Sequence, residues 1–469
     1  MSETYDCDVC VLGAGSAGLP AALYASSHGL NVIVLQKYEK AQSNGWSFAA
    51  FNTKHDSEFG IAYDPVVTRT LMSEYTSGRA DINVICSIIN KSGMALDWLN
   101  DEMSDAMPMH MMSDFSAGFS GKVPHMVYYW LRGDDYASRY DAFGDAIETM
   151  VSKCEANGVR FLYETPAVQL VKDDAGRVTG TYGQKSDGSF VLVNASSGVL
   201  IATGDVTDDD EMTEYFIPTN SGVQNKSPYG TCTGDGHKMA LWAGAKWDTS
   251  PLCLGLTSGE APGYSDPALR VNSNGLRFVN ETCGQDTLYN ASPLQTADAL
   301  QSGKGSWSIY DAKLSSAVSA EALSQLDGKL SFTAGTLKEL AEKAGINAEN
   351  LEKTVDRYNS IVASGLDVDY GVPSDVLSGR DIVDPPFYAV VRKPLNMAAI
   401  GGVQANANLN VVDENRAPIP GLYVAGNAMG SCYGYQYPWI SFSASSKMHA
   451  MAGGILAVRS MMGVLDQAF

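Results

Sequence analysis

A chain of 469 residues, 45% hydrophobic and 9% aromatic, has the composition of an ordinary globular protein of two or three domains, which excludes a disordered or low-complexity polymer. Its 53 acidic against 32 basic residues leave a net charge of −21, so nucleic acid and anionic membrane surfaces are repelled rather than recruited. Eight cysteines, at 7, 10, 86, 154, 232, 253, 283 and 432, are too scattered for a disulfide framework, and a chain this long folds without one.

The first six residues are acidic and lack the basic start of a secretory signal, so a cytoplasmic protein is expected unless a leader has been removed. Residues 9–36 contain no Asp, Glu, Lys or Arg, a run long enough to cross a bilayer. Four glycines, Pro20, His28 and Asn31 break that run, which reads better as strand, turn, helix and strand, with no membrane span. Cys7 and Cys10 lie inside the first strand, where a zinc knuckle or redox loop would need turn residues, so they read as core and no metal site is expected. Gly13-Ala14-Gly15-Ser16-Ala17-Gly18 follows the strand at once, a helix runs on through residues 19–24, Gly29 ends it, and residues 31–35 form the second strand. In that context GxGxxG has a physical meaning. The first Gly makes the tight turn, the second admits a pyrophosphate, and the third lets helix and strand pack closely with the helix N-terminus facing the phosphates. Gln36 ends the second strand where an acidic residue would hold an adenosine ribose; it brings a hydrogen bond without a charge.

Residues 159–163 and 168–171 read as further strands, 177–183 with 190–193 as a hairpin or meander, and Gly198-Val199-Leu200-Ile201-Ala202-Thr203-Gly204 as an apolar strand ending in Ala-Thr-Gly. Residues 336–343 and 348–362 read as amphipathic helices separated by Gly345, and Asp384-Pro385-Pro386 marks a break. Gly421-Leu422-Tyr423-Val424-Ala425-Gly426-Asn427 repeats the strand-then-glycine form, and the chain is helical from about Ser443 to Met462. The expected fold class is α/β: a discontinuous Rossmann-like nucleotide-binding domain over 1–246 and 396–469, with an inserted α+β capping domain over 247–395.

These segments together resemble the flavoproteins of the fumarate reductase type, which include urocanate reductases and 3-ketosteroid dehydrogenases. The resemblance runs through GxGxxG, Ala202-Thr203-Gly204, Thr233-Gly234-Asp235-Gly236, Gly275-Leu276-Arg277-Phe278-Val279-Asn280-Glu281, Thr354-Val355-Asp356-Arg357-Tyr358-Asn359, Pro385-Pro386-Phe387-Tyr388-Ala389, Gly401-Gly402 and residues 421–427. It implies FAD held in extended form by a domain of the glutathione-reductase type. Gly13, Gly15, Ser16, Ala17 and Gly18 would hold the pyrophosphate, with Gln36 and Lys37 at the adenosine ribose. Val168, Ala202, Thr203 and Gly204 would line the nucleotide, and Asn44, Gly45 and Ser47 the ribityl chain and flavin, with Asp235, Gly426 and Asn427 nearby. Ser443 and Ala444 would open the last helix toward the flavin's pyrimidine edge, where the positive helix end favours a reduced ring.

The family's substrate positions differ here. Four residues after Glu281, where fumarate reductases carry a proton-delivering arginine, stands Gln285; Tyr437 takes the place of the carboxylate-gripping arginine, and Ala398 that of a histidine before the paired glycines. Tyr437-Pro438 instead resembles the ketosteroid dehydrogenases, with Ser441 where those enzymes carry glycine. The implied reaction is hydride transfer between flavin N5 and the β-carbon of a neutral cyclic or conjugated carbonyl compound, polarised by Tyr437 with Gln285 or Ser441 assisting and Tyr435 close by. Alternatives are a fumarate-, urocanate- or cinnamate-type carboxylate reductase and a flavin-binding protein without catalysis. A disulfide reductase would need a second GxGxxG and a redox CxxC after the second strand, and has neither. The expected partners are a small-molecule substrate and an external electron donor or acceptor, namely a redox protein, free flavin or quinone.

Overall fold

A computed structural model describes residues 3–43, 45–112, 126–217, 224–225, 230–248, 252–257, 263, 266–283, 306–315, 318–392, 395–434, 437 and 444–469. The chain divides into two compact units: Met1–Ile217, Ser227–Leu254 and Ala398–Phe469 form the first, and Pro218–Lys226 with Gly255–Met397 the second.

The first unit is organised by an eight-stranded sheet. Its centre is strand β1 (Glu3–Leu12), flanked on one side by β2 (Val32–Leu35) and then β3 (Arg160–Leu162), and on the other by β4 (Phe190–Ile201) and then β5 (Pro418–Val424), all parallel. Strands buried on both faces need continuous apolar sequence, and Val9–Leu12 and Val32–Leu35 are fully buried. Ala167–Lys172 and Val178–Gln184 complete an antiparallel meander onto β4. The two short strands expected at 190–193 and from 198 are one strand of 12 residues. The polar stretch between them is a bulge, because β1 pairs along both halves and the register shifts between Cys7 and Val9.

Helix α1 (Gly18–Ser27) and the last helix, α2 (Ser445–Met461), pack on this sheet and are buried along most of their length, so neither shows the one-sided pattern of a surface helix. Longer helices at Ile82–Met103 and Arg139–Ala156 flank them. The first of these is capped by Asp81, whose carboxylate accepts from the Asn83 N–H.

The second unit has its own core around an antiparallel sheet in the order Arg270–Val271, Ser306–Tyr310, Phe387–Arg392, Ser331–Ala334. The two amphipathic helices are Leu337–Ala344 and Ala348–Ser364, N-capped by Thr336 and Asn347 and ended by Gly345 and Gly365 in left-handed conformation.

Candidate functional site

Parallel pairing places Leu12, Leu35, Ile201 and Val424 in one row, so the residues that follow them open on the same edge of the sheet. An open α/β sheet binds its ligand beyond this carboxyl edge. Gly13 turns with φ 103°, and a side chain there would stand 2.5 Å from the Ala202 carbonyl oxygen. One on Gly18 would overlap the Gly13 carbonyl, whereas one on Gly15 would reach only the Gln42 carbonyl oxygen at 3.4 Å. The outer glycines thus serve close packing, and the middle one borders open space, as a phosphate cradle requires. The N-cap residue Ala17 brings no capping side chain and the first turn of α1 holds no acidic residue, so among the described residues its positive end is open to an anion.

Gln36 is buried at the end of β2, where its Oε1 accepts from the Ala14 N–H at 3.0 Å and its Nε2 donates to the Lys40 carbonyl at 3.0 Å. Lys37 beside it donates to Thr233 Oγ1 at 2.6 Å and pairs with Asp235 at 3.0 Å, so Asp235 lies on the Gln36 side of the cradle. Gly236 seats the helix Asp235–Trp242 against Thr203, which brings the Ala202-Thr203-Gly204 turn to the same place. Val168 is half-buried at a bulge of its strand, three residues after Thr165, whose N–H donates to the Gln36 carbonyl. Gly426 packs against Ala17, and Asn427 donates to Asp205 at 3.4 Å. Burial raises the Asp205 carboxyl above its usual range, against hydrogen bonds from the Thr207 N–H and hydroxyl and the Ala399 N–H.

Ser16 Oγ and Ser43 Oγ are 2.5 Å apart, and Lys447 Nζ donates to both, at 3.2 and 3.3 Å. Gly45 leaves room for the Lys447 chain, since a side chain at that position would stand 2.6 Å from Lys447 Cε. Ser47 faces the Tyr129 hydroxyl. Ala444 is the N-cap of α2 in left-handed conformation, with no side-chain cap from its own methyl. Tyr437 is buried, its hydroxyl oxygen accepts from the Ser446 N–H at 2.9 Å, and its carbonyl accepts from the Tyr75 hydroxyl at 3.0 Å. Tyr433 packs edge-on against it and donates to the Ser445 carbonyl. Asn44, Gln285, Tyr435, Ser441 and Ser443 lie outside the described residues.

Two buried histidines, His237 and His449, are held down to about 4 by burial, which leaves them neutral. Among the described residues no group of three His, Cys, Asp or Glu side chains is placed to hold a metal, and no helix is long and apolar enough to cross a membrane. Gln42 Oε1, Thr203 Oγ1 and Ser445 Oγ are buried with no hydrogen-bond partner among the described residues, and all three border this edge. Unsatisfied buried polar atoms, an open glycine, two helix starts and a cation fit a dinucleotide with a charged middle.

A family model described as an FAD binding domain matches residues 8–439. The chain belongs to that family. This flavoprotein is an FAD-dependent oxidoreductase related to the fumarate and urocanate reductases. It is similar to a probable fumarate reductase of Shewanella frigidimarina, 27% identical over 451 residues that cover 91% of this chain and 70% of the relative. It is also similar to a vinyl phenol reductase of Lactiplantibacillus plantarum, 24% identical and covering 92% of each chain. The solved 3-ketosteroid Δ1-dehydrogenase of Sterolibacterium denitrificans shares the fold with a TM-score of 0.76, 20% identity and coverage of 98% and 99%. Lys447 and Ser43 are the residues that sequence reasoning missed in this flavoprotein; the available signal was a lone cation in the first turn of the last helix.

Proposed function

We propose that this flavoprotein reduces or introduces the carbon–carbon double bond next to a neutral carbonyl, in a cyclic or conjugated substrate that includes the ketosteroid class. The bound flavin supplies a hydride acceptor or donor; the chain supplies binding, orientation and the proton. The observation that carries the proposal is the Tyr437 hydroxyl, buried at the start of α2 and accepting from the Ser446 N–H at 2.9 Å. A phenol oxygen that accepts from a helix start is polarised, which strengthens donation through its own proton. It is thereby suited to hold a ketone oxygen and to deliver or collect a proton.

The positions at which the family grips carboxylates support a neutral substrate. Tyr437, Gln285 and Ala398 replace two arginines and a histidine. A charge-assisted hydrogen bond contributes about 1.5–3 kcal/mol, and burying a carboxylate without one costs more. The vinyl phenol reductase relative, matched along 92% of its length, carries the name of an uncharged substrate. Electrons would come from a separate redox protein, free reduced flavin or a quinone.

The test is anaerobic. Protein reduced with dithionite is mixed with fumarate, urocanate, a cinnamate, a cyclic enone and a 3-keto-4-ene steroid, and flavin reoxidation is followed. Rapid reoxidation by the enone or steroid alone is the expected result. Rapid reoxidation by fumarate would overturn the neutral-substrate assignment, and silence from all five would leave a flavin-binding protein without this chemistry.

A further inference from the structure

Lys447 is the third residue of α2, after the N-cap Ala444. A cation there sits at the positive end of a 17-residue helix, the location that disfavours it most. Burial adds to that cost, and what offsets it is the face of the Phe143 ring, 5.6 Å from Nζ, and hydrogen bonds donated to Ser16 and Ser43 at 3.2 and 3.3 Å. Local preference that is violated at an enclosed position points to a ligand that rewards it.

The place that Nζ reaches is informative. Ser16 belongs to the glycine turn, between the open Gly15 and the uncapped start of α1, and Ser43 belongs to the loop that closes over that turn, where the Gln42 N–H donates to the Ala14 carbonyl. The ammonium therefore stands where two segments meet at the phosphate-facing end of α1. An anion there would meet a full positive charge, two hydroxyls and a helix start together.

We propose that Lys447 is the counter-ion of the FAD pyrophosphate, so that the last helix, which opens toward the flavin, also clamps the middle of the cofactor. The inference rests on the flavin assignment and extends it to a residue outside the glycine fingerprint. Burial pushes the Lys447 ammonium down to about 8, against the opposing pull of Asp205 and Cys232, which face it among the described residues. A bound pyrophosphate raises it again. Binding above pH 8 must then take up a proton, whereas below pH 8 the lysine already carries it.

Apparent FAD affinity should be flat below about pH 8 and fall by up to tenfold per pH unit above it. Calorimetry of the wild-type apoprotein at pH 8.5–9, in buffers of different ionisation enthalpy, should show uptake of up to one proton per FAD. Lys447→Met should weaken FAD binding about 10–100-fold, leave riboflavin binding unchanged because riboflavin has no phosphate, and abolish the pH slope. Cys232→Ser should keep the slope, which separates the lysine from its neighbour. No proton uptake by the wild type, or an equal loss for FAD and riboflavin in Lys447→Met, would overturn the lysine's role. Failure of the wild type to bind FAD at any pH would instead overturn the flavin assignment beneath it.

Discussion

Tyr437 carries two duties that a single substitution can separate. As acceptor for the Ser446 N–H it caps α2, and losing a cap costs about 1 kcal/mol of stability. As donor to a substrate oxygen it would act in the transition state, where removing one such donor costs about 10²–10³ in kcat. Tyr437→Phe is therefore expected to keep flavin content and shift denaturation slightly, while enone turnover falls at least a hundredfold. A variant that loses stability and retains turnover would make Tyr437 a cap and nothing more. Two neighbouring glycines in α2 make a parallel test of packing. A methyl on Gly454 would overlap the Ala17 carbonyl, where α2 presses on the start of α1. One on Gly453 would find ordinary contacts at 3.7–3.9 Å with Ala425, Leu409 and His449. Gly454→Ala should cost about 1–3 kcal/mol and weaken FAD binding, because the cradle must shift. Gly453→Ala should stabilise by about 0.5–1 kcal/mol through helix propensity alone. Urea melts of the two variants should move in opposite directions.

In the second unit a similar economy is built on Arg277, which follows the turn at Gly275. The guanidinium pairs with Glu281 at 2.6 Å and Asp367 at 2.8 Å, and lies over the rings of Tyr358 and Tyr370. It thus ties the Gly275 turn to the helix Ala348–Ser364 and to the loop beyond it. Burial opposes ionisation of Asp367, but hydrogen bonds from Arg277 and from the Tyr370 and Val372 N–H groups outweigh it and hold the carboxyl down to about 2. A carboxyl lowered on folding contributes stability that is complete above its unfolded pKa of about 4, and that is lost as pH falls toward 2. Arg277→Met strands two buried carboxylates and should cost about 3–5 kcal/mol. Its stability should also rise, relative to wild type, as pH is lowered through that window, which acid titration of both proteins would show. The elements involved were legible in sequence because their signals are local. Thr336, Asn347, Gly345 and Gly365 bracket helices by capping chemistry alone, and the GxGxxG turn lies between two apolar strands. The bulge that joins 190–193 to 198–201 was not legible, since it is created by pairing with β1 from the other end of the sequence. Lys447 left one local mark, a cation in the first turn of α2, but the contact that gives it meaning, with Ser16 across 431 positions, is not local. The helices Ile82–Met103 and Arg139–Ala156 did carry local signals, an Asp81 cap and apolar repeats, that the sequence reading left unassigned.

Across the whole molecule, the two units have separate hydrophobic cores. Among the described residues, one runs from the strands at the N-terminus through α2 and ends at Leu465; the buried apolar residues of the other lie within 268–391, in a larger and a smaller cluster. The described cradle residues, from Gly13 through Gln36, Asp235 and Gly426 to Lys447, all belong to the first unit. A ligand stabilises only the folding transition of the unit that binds it, by about 2.7 kcal/mol when its concentration is a hundredfold above Kd. Two cores with the binding residues in one of them predict two calorimetric transitions in the apoprotein. Added FAD should move one of these upward and leave the other in place. The second transition should in turn be the one that Arg277→Met lowers, since that network lies in the other core. If FAD and Arg277→Met shift a single common transition, the two units unfold as one cooperative body. If they shift separate transitions, the nucleotide fold holds its cofactor by itself, and the second unit is free to vary for the substrate without loss of the flavin.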